Sequence, residues 1–417
     1  MITVVLFLNN YRMDDNYVFE QACNLECPIL PVAPYNSDRH QKSWFGWPSM
    51  GPYRQQFLHE CLHDLEHQLN QINLKLWITS GRLVQVIKII HQQYKNIQVI
   101  FPRQLGQYES EERAELQQYC SENNIKNECI WDWTLIQEFE LSRLPLGFSG
   151  FRKKVEKQLN VPYPIQIKDH ITGVDHNFVN QFVKLSPNKL KLTFQGGELA
   201  AKKHMNDYIW TSKAVKHYKK TRNKLIGQHF SSKFSLYLSL GCLSARTIYH
   251  EVKRFEKEYG KNDSTYWLIF ELLWRDFFQF QYLKNESHWF QYGGIQQKSW
   301  AAPNIDKLSV ESWVNGQTQS DFVNANMIEL KKTGYMSNRG RQNAASYLIY
   351  DLGQDWRYGA AVFEHYLIDY DVASNIGNWM YIAGVGNSRQ ARMFNVEQQQ
   401  NRYDANGSYT KYWLNQK

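Results

Sequence analysis

Hydrophobic positions change their period along the chain, and the first part alternates between two of them. Residues 2–8 (ITVVLFL), 74–79 (LKLWIT), 97–101 (IQVIF) and 125–131 are short, largely apolar runs of β type. Residues 51–69, 82–94 and 109–123 instead space their apolar side chains three and four apart, along one face of a helix. Strands and helices alternating over short connections predict a doubly wound, Rossmann-like α/β domain with a parallel sheet over residues 1–142. No GxGxxG follows the first strand, so the usual dinucleotide fingerprint is missing there.

Residues 143–195 carry Pro145, Pro162, Pro164 and Pro187 and little periodicity, which predicts an interdomain connector. From residue 196 to 417 nearly every segment has helical spacing. The main candidates are 198–219, 246–259, 265–283, 321–332, 341–352 and 360–369, so this part is expected to be all-α.

Charge follows the same division. Residues 1–150 hold 12 Lys/Arg and 17 Asp/Glu, a net −5, and residues 151–417 hold 36 and 23, a net +13. A basic helical half fits a polyanion, nucleic acid first among them, or else a solvated surface. Six cysteines form no CxxC pair and no zinc-like cluster with histidine, so no metal is expected. Free thiols in a reducing cytoplasm are expected instead. No apolar run approaches the roughly 18 residues of a membrane span, and the first residues (MITVVLFLNNYRMDD) read as a strand rather than a signal peptide.

Four clusters in the basic half carry candidate chemistry. Ser231, Ser232 and Ser235 precede or open the apolar run 234–240, where hydroxyls and free N–H groups suit a pyrophosphate or simply cap a helix. Within FELLWRDFFQF, Glu271, Trp274 and Arg275 share a helix face. A carboxylate, an indole and a guanidinium can hold a flat heterocycle there, or form an ordinary surface pair. Asn338, Arg339, Arg341, Gln342 and Asn343 crowd a helix start, where arginine opposes the macrodipole unless an anion compensates. The segment LIDYDVASNIGNWMYIAGVG supplies Asp369 and Asp371 as partners for those arginines, beside Asn375, Trp379 and Tyr381. No GxSxG nucleophile motif is present, and no His-Glu-x-x-His zinc motif is expected. Phosphate donors, carboxylates, arginines and aromatic surface without a nucleophile point to a large planar cofactor that carries the chemistry.

These residues resemble the photolyase/cryptochrome flavoproteins, most closely the cryptochrome DASH branch. The resemblance covers nearly the whole chain and is strongest over 194–414, in YKKTRN, SSKFSLYLSLGCLS, ELLWRDFFQF, TGYMSNRGRQNAASYLIYDLGQDWRYGA and the segment above. It implies an α/β antenna domain followed by a helical domain holding FAD in a bent form. By motif match, Tyr218, Ser231, Ser232, Lys233, Phe234 and Ser235 would hold the phosphates and ribityl chain. Arg341 would pair with Asp369 beside the flavin, Asp371 would face the sugar and flavin edge, and Asn375 would sit opposite flavin N5. Glu271, Trp274, Arg275 and Asn338 would line the space between FAD and substrate, with Tyr381 stacking on the substrate. Trp379, Trp356 and Trp300 match the family's electron-transfer chain.

The implied activity is blue-light repair of cyclobutane pyrimidine dimers by a monomer, and the alternative is a photoreceptor that signals through flavin redox state. Tyr381 and Gln342 stand where ordinary dimer-repair enzymes have Trp and Met. These are DASH-like choices that imply single-stranded or looped DNA as substrate. Residues 336–342 contain no His, which argues against (6-4) photoproduct chemistry. For an antenna folate, 5,10-methenyltetrahydrofolate, the contact would be Glu109, which also reads as a plain helix-start acid. The first strand departs from the family pattern, with Leu8 in place of the usual arginine.

Overall fold

The computed structural model describes residues 1–417 apart from 37–42, 168–170, 183–184, 186–189, 191, 389 and 417. Pro187 of the expected connector therefore lies outside the described residues. Strands β1 (Ile2–Leu6), β2 (Ile29–Tyr35), β5 (Trp77–Ser80), β6 (Ile97–Pro102) and β7 (Lys126–Ile130) form one parallel sheet in the order β5-β2-β1-β6-β7. The two-residue strands β3 (Ser43–Trp44) and β4 (Trp47–Pro48) form a separate antiparallel ribbon.

The unbroken apolar run of β1 is explained by burial on both faces. Val4, Leu6 and Leu8 pack with Val86, Ile87 and Leu116 on one side. Val5 and Phe7 pack with Phe19, Phe57 and Leu62 on the other. β2 escaped the periodicity reading because its sequence, ILPVAPY, holds two prolines in a central strand. The ladder accommodates both. Phe7 N–H donates to Val32 O and Gly81 N–H to Tyr35 O, so alternate residues face β1 and β5. Pro34 comes after the last residue paired with β1, Val32, and Pro31 comes before the first residue paired with β5. Neither ring removes a ladder bond.

The second half is helical, and the family fold expected from the motifs is the one observed. Helix Ala245–Tyr259 leads into the long helix Asp263–Asn285, followed by Asp321–Thr333, Asn338–Ser346, Trp356–Tyr366 and Val372–Ala383. The expected helix 198–219 breaks after Asn206 into a π turn. There the Ser212 hydroxyl donates to Asp207 O and Tyr208 O, and Lys213 takes φ +52°. A side chain that competes for main-chain acceptors ends a helix in this way. The connector is less irregular than its prolines imply. Phe148–Glu156 is a helix whose Phe148 and Phe151 pack on Phe277.

Two buried devices join the halves. Arg12 and Arg246 from either side meet Asp15 and Asp132, with all four side chains almost fully inaccessible. Asp276, on the long helix, accepts the N–H groups of Leu135 (3.0 Å) and Ile136 (2.9 Å). Among the described residues no helix is long and apolar enough to cross a membrane.

Candidate functional site

The helical half encloses a cavity of about 410 Å³, with a narrower extension of about 90 Å³ that shares the walls formed by Asn338, Arg341, Gln342, Asp369 and Asp371. Four chain segments supply most of the lining. The turn before the short helix Ser235–Ser239 contributes Ser231, Ser232, Lys233 and Phe234, and that helix contributes Ser235. The long helix places Glu271, Trp274 and Arg275 on one wall, as their spacing predicts. Helix Asn338–Ser346 and helix Val372–Ala383 provide the rest, including Tyr381, and Asn375 and Trp379 line the extension. Tyr218 is also on the wall.

The charge conflict at the start of Asn338–Ser346 is resolved for Arg341 by Asp369, while Arg339 donates to the amide oxygens of Gln399 and Asn223, both at 3.3 Å. Arg341 Nη2 donates to both Asp369 oxygens at 2.9 Å, and Ser235 Oγ donates to Oδ2 at 2.6 Å. Among the described residues Asp371 pairs with no arginine. Its Oδ1 accepts from Ser374 N (2.7 Å) as the cap of helix Val372–Ala383, and Oδ2 accepts from Gln279 Nε2 (3.2 Å). Arg275 lines the cavity, yet its guanidinium donates to the carbonyls of Trp133 and Leu238. Trp274 lies flat on Phe148, with centroids 3.9 Å apart, and meets Tyr381 edge-on at 6.3 Å.

Burial shapes the electrostatics. Lys233, in left-handed backbone at φ +53° and close to the rings of Phe230, Phe194 and Tyr335, is pushed down to about 8 by loss of solvation. Burial pushes the Glu271 carboxyl above the usual carboxylate range, while Arg222 and the Trp267 indole N–H pull it back. Glu329 lies behind this wall and is raised to about 7 by burial, with the Tyr409 hydroxyl donating to it at 2.6 Å.

Trp379 and Trp356 are core indoles at 2% exposure, whereas Trp300 is 54% exposed. Trp379 packs directly on the backbone of helix Trp356–Tyr366. A Cβ added at Gly359 would stand 2.2 Å from its ring. Glu109 is buried at a second, small cavity of about 100 Å³, together with Asn9, Gln104 and Leu105. These residues follow β1 and β6, the point where strand order reverses and open α/β sheets place ligands. The space falls short of the roughly 300 Å³ typical of pockets for folate-sized molecules.

Sequence reading passed over several residues. Arg222 sits in YKKTRN, but its partner Glu271 is 49 positions away. Phe148 lay in the supposed connector. The expected absence of a His-Glu-x-x-His motif is wrong, because His59-Glu60-Cys61-Leu62-His63 has that spacing.

A basic helical domain with a donor-lined cavity, mounted on a doubly wound sheet, defines a flavoprotein of the photolyase fold. Residues 267–416 match the family model described as the FAD binding domain of DNA photolyase, and residues 3–168 match that described as DNA photolyase. The chain belongs to the photolyase/cryptochrome family. It is 40% identical to "Cryptochrome DASH" of Synechocystis sp. over 99% of its length and 87% of that protein. It is 37% identical to "Cryptochrome DASH" of Danio rerio over 99% of its length and 82% of that protein. A solved Synechocystis sp. PCC6803 cryptochrome structure superposes with a TM-score of 0.94 at 38% identity, covering 99% of this chain and 88% of that one.

FAD is the cofactor of this domain, and the residues present fit it. Serine hydroxyls and Lys233 suit a pyrophosphate. The buried Gln342 Oε1 has no donor among the described protein groups, so it can accept from a ligand N–H or O–H.

Proposed function

We propose that the protein repairs cyclobutane pyrimidine dimers in single-stranded or looped DNA under blue light. The observation that carries this reading is one cavity whose walls bear both the FAD-type donors and Glu271, Trp274, Asn338, Gln342 and Tyr381. FAD held by Ser231, Ser232, Lys233, Ser235, Arg341 and Asp369 would supply the photochemistry, a blue-light-driven one-electron transfer to the dimer that is reversed once the ring opens. The chain's own residues bind and orient the DNA. A dimer has to leave the base stack to enter the cavity, and the basic half, at net +13, attracts the strand. Glu271, fixed by Arg222 and Trp267, accepts hydrogen bonds from base edges, and the amides of Asn338 and Gln342 complete the polar wall.

Phe148 already covers one face of Trp274, and the second aromatic is Tyr381 rather than a larger indole. Stacking in the cavity is therefore modest, which supports a substrate that is already unpaired. The protein acts as a monomer in the cytoplasm, a compartment in keeping with six free cysteines.

The test is illumination of the FAD-reduced protein with a dimer-containing oligonucleotide, single-stranded and duplex. Repair of the single strand is expected, and a fully reduced, light-exposed protein that leaves it unrepaired would overturn the reading. A signalling photoreceptor is the second reading, favoured by the exposure of Trp300, which by motif match would end the family's electron-transfer chain at the surface. Glu271→Ala separates the two, since repair is lost while photoreduction of FAD survives. A cellular light response that persists in this variant belongs to the photoreceptor.

A further inference from the structure

Helix Pro52–Gln71 carries His59-Glu60-Cys61-Leu62-His63, and none of these residues lines the flavin cavity. Histidines one helical turn apart share a face, and here their Nε2 atoms stand 3.1 Å apart and share a hydrogen bond, which an ion between them would replace. Two nitrogens at that separation, each about 2.0–2.1 Å from a common ion, subtend about 98°. That angle lies between square and tetrahedral coordination. The rings are held from both sides. Phe182 stacks on His63 with centroids 4.0 Å apart at 13° and meets His59 edge-on at 5.4 Å. Glu66 Oε2 lies 3.7 Å from His63 Nδ1, where a carboxylate favours the tautomer that leaves Nε2 free to ligate. Asn180 Nδ2 fixes Glu66 by donating to its other oxygen at 2.6 Å.

We propose that His59 and His63 form a site for a divalent transition-metal ion, with water completing its coordination. The side chain of His63 is 49% exposed, which leaves room for that water. Among the described residues no cluster of three or more His, Cys, Asp or Glu adds a third ligand. The net −5 of the surrounding half favours a cation. Imidazole selects zinc, nickel or copper over magnesium or calcium. The site binds rather than hydrolyses. Glu60, which would be the base in a hydrolytic His-Glu-x-x-His motif, already accepts from Gly196 N (2.8 Å) and Gln56 Nε2 (3.3 Å). The proposal departs from the expectation of no metal, which rested on cysteine clustering and on not recognising His59–His63 as a His-Glu-x-x-His spacing.

Calorimetric titration of the FAD-bound chain, without an affinity tag, with zinc chloride tests the proposal. One equivalent is expected to bind, and magnesium chloride gives no heat. His59→Ala and His63→Ala each weaken binding at least about tenfold, and Glu66→Gln weakens it by about tenfold. His67→Ala, one turn further along and hydrogen-bonded to Gln71, leaves binding unchanged. Flavin absorbance and circular dichroism equal to the parent's establish that the variants are folded. The proposal is overturned if the parent binds no stoichiometric zinc, or if His67→Ala weakens binding as much as His63→Ala.

Discussion

Arg222 Nη1 donates to Glu271 Oε1 at 2.6 Å, and the same oxygen accepts the Trp267 indole N–H at 3.1 Å. The pair holds a carboxylate on the wall of the flavin cavity in one rotamer and opposes the upward push of burial on its pKa. Arg222→Gln removes the cation, so burial acts with less opposition and the Glu271 carboxyl titrates at a higher pH. A hydrogen bond to a charged group contributes about 1.5–3 kcal/mol, so repair at saturating oligonucleotide should fall by about one to two orders of magnitude. Flavin content should not change. A variant with parental repair rate would show that Arg222 does not position Glu271.

The interdomain quartet makes a second prediction. Arg246 Nε donates to Asp15 Oδ2 (2.9 Å) and its Nη2 to Asp132 Oδ1 (2.7 Å), with the arginine side chain 2% exposed. Arg246→Met leaves two buried carboxylates facing the single guanidinium of Arg12. Breaking a buried pair from one side costs about 3–5 kcal/mol. Urea unfolding should show a loss of that size, with domain docking lost before helical structure. A loss below about 1 kcal/mol, the range of a surface pair, would count against the clamp.

Glu329 gives a pH dependence whose sign is set by its raised pKa. Burial lifts it from 4.5 to about 7, so the folded state holds this proton more tightly than the unfolded state does. The stability it contributes is complete below about pH 4.5 and is lost as pH rises through about 7, a change on the order of 3 kcal/mol. Glu329→Gln keeps an acceptor for Tyr409 and cannot titrate. Its thermal midpoint relative to the parent should therefore rise between pH 5 and pH 8. Lys233, lowered to about 8, acts mainly above that window. Parallel pH profiles for parent and variant would exclude Glu329 as the titrating group.

Much of this architecture was legible in the order of residues because it depends on local period. The two-faced burial of β1 and the shared face of Glu271, Trp274 and Arg275 follow from spacing alone. The adverse arginine at residue 341 pointed correctly to a carboxylate, and Asp369 supplies it, whereas Arg339 donates to the amide oxygens of Gln399 and Asn223. What stayed hidden depends on contacts distant in sequence. The prolines of β2 are tolerated only because β1 and β5 pair with different stretches of it, and no single strand shows that. The pairing of Arg222 with Glu271 and the seating of Trp274 on Phe148 join segments 49 and 126 positions apart. The role of Asp371 was misjudged for the opposite reason. Its nearest donor is the N–H of Ser374, three residues on, and a local cap takes an oxygen that the arginines would otherwise attract.

Asn375 provides the sharpest residue-level test of the flavin wall. It is buried at 9% exposure, lines the cavity extension with Trp379, and donates from Nδ2 to Ala360 O at 3.0 Å. That bond fixes the amide plane and ties helix Val372–Ala383 to the helix that carries Trp356. Asn375→Ala removes one buried hydrogen bond, which costs about 1 kcal/mol and leaves the fold intact. If the amide tunes the cofactor, the effect on FAD exceeds this small structural loss. The absorption spectrum reached under blue light with an external reductant should change in Asn375→Ala and be partly restored in Asn375→Gln. A control at Asn123 removes an exposed amide that donates to Tyr119 O (2.8 Å), outside the cavity and its extension, and should leave the spectrum alone. Identical light-driven spectra for parent and Asn375→Ala, at equal FAD content, would reduce Asn375 to a tie between two helices.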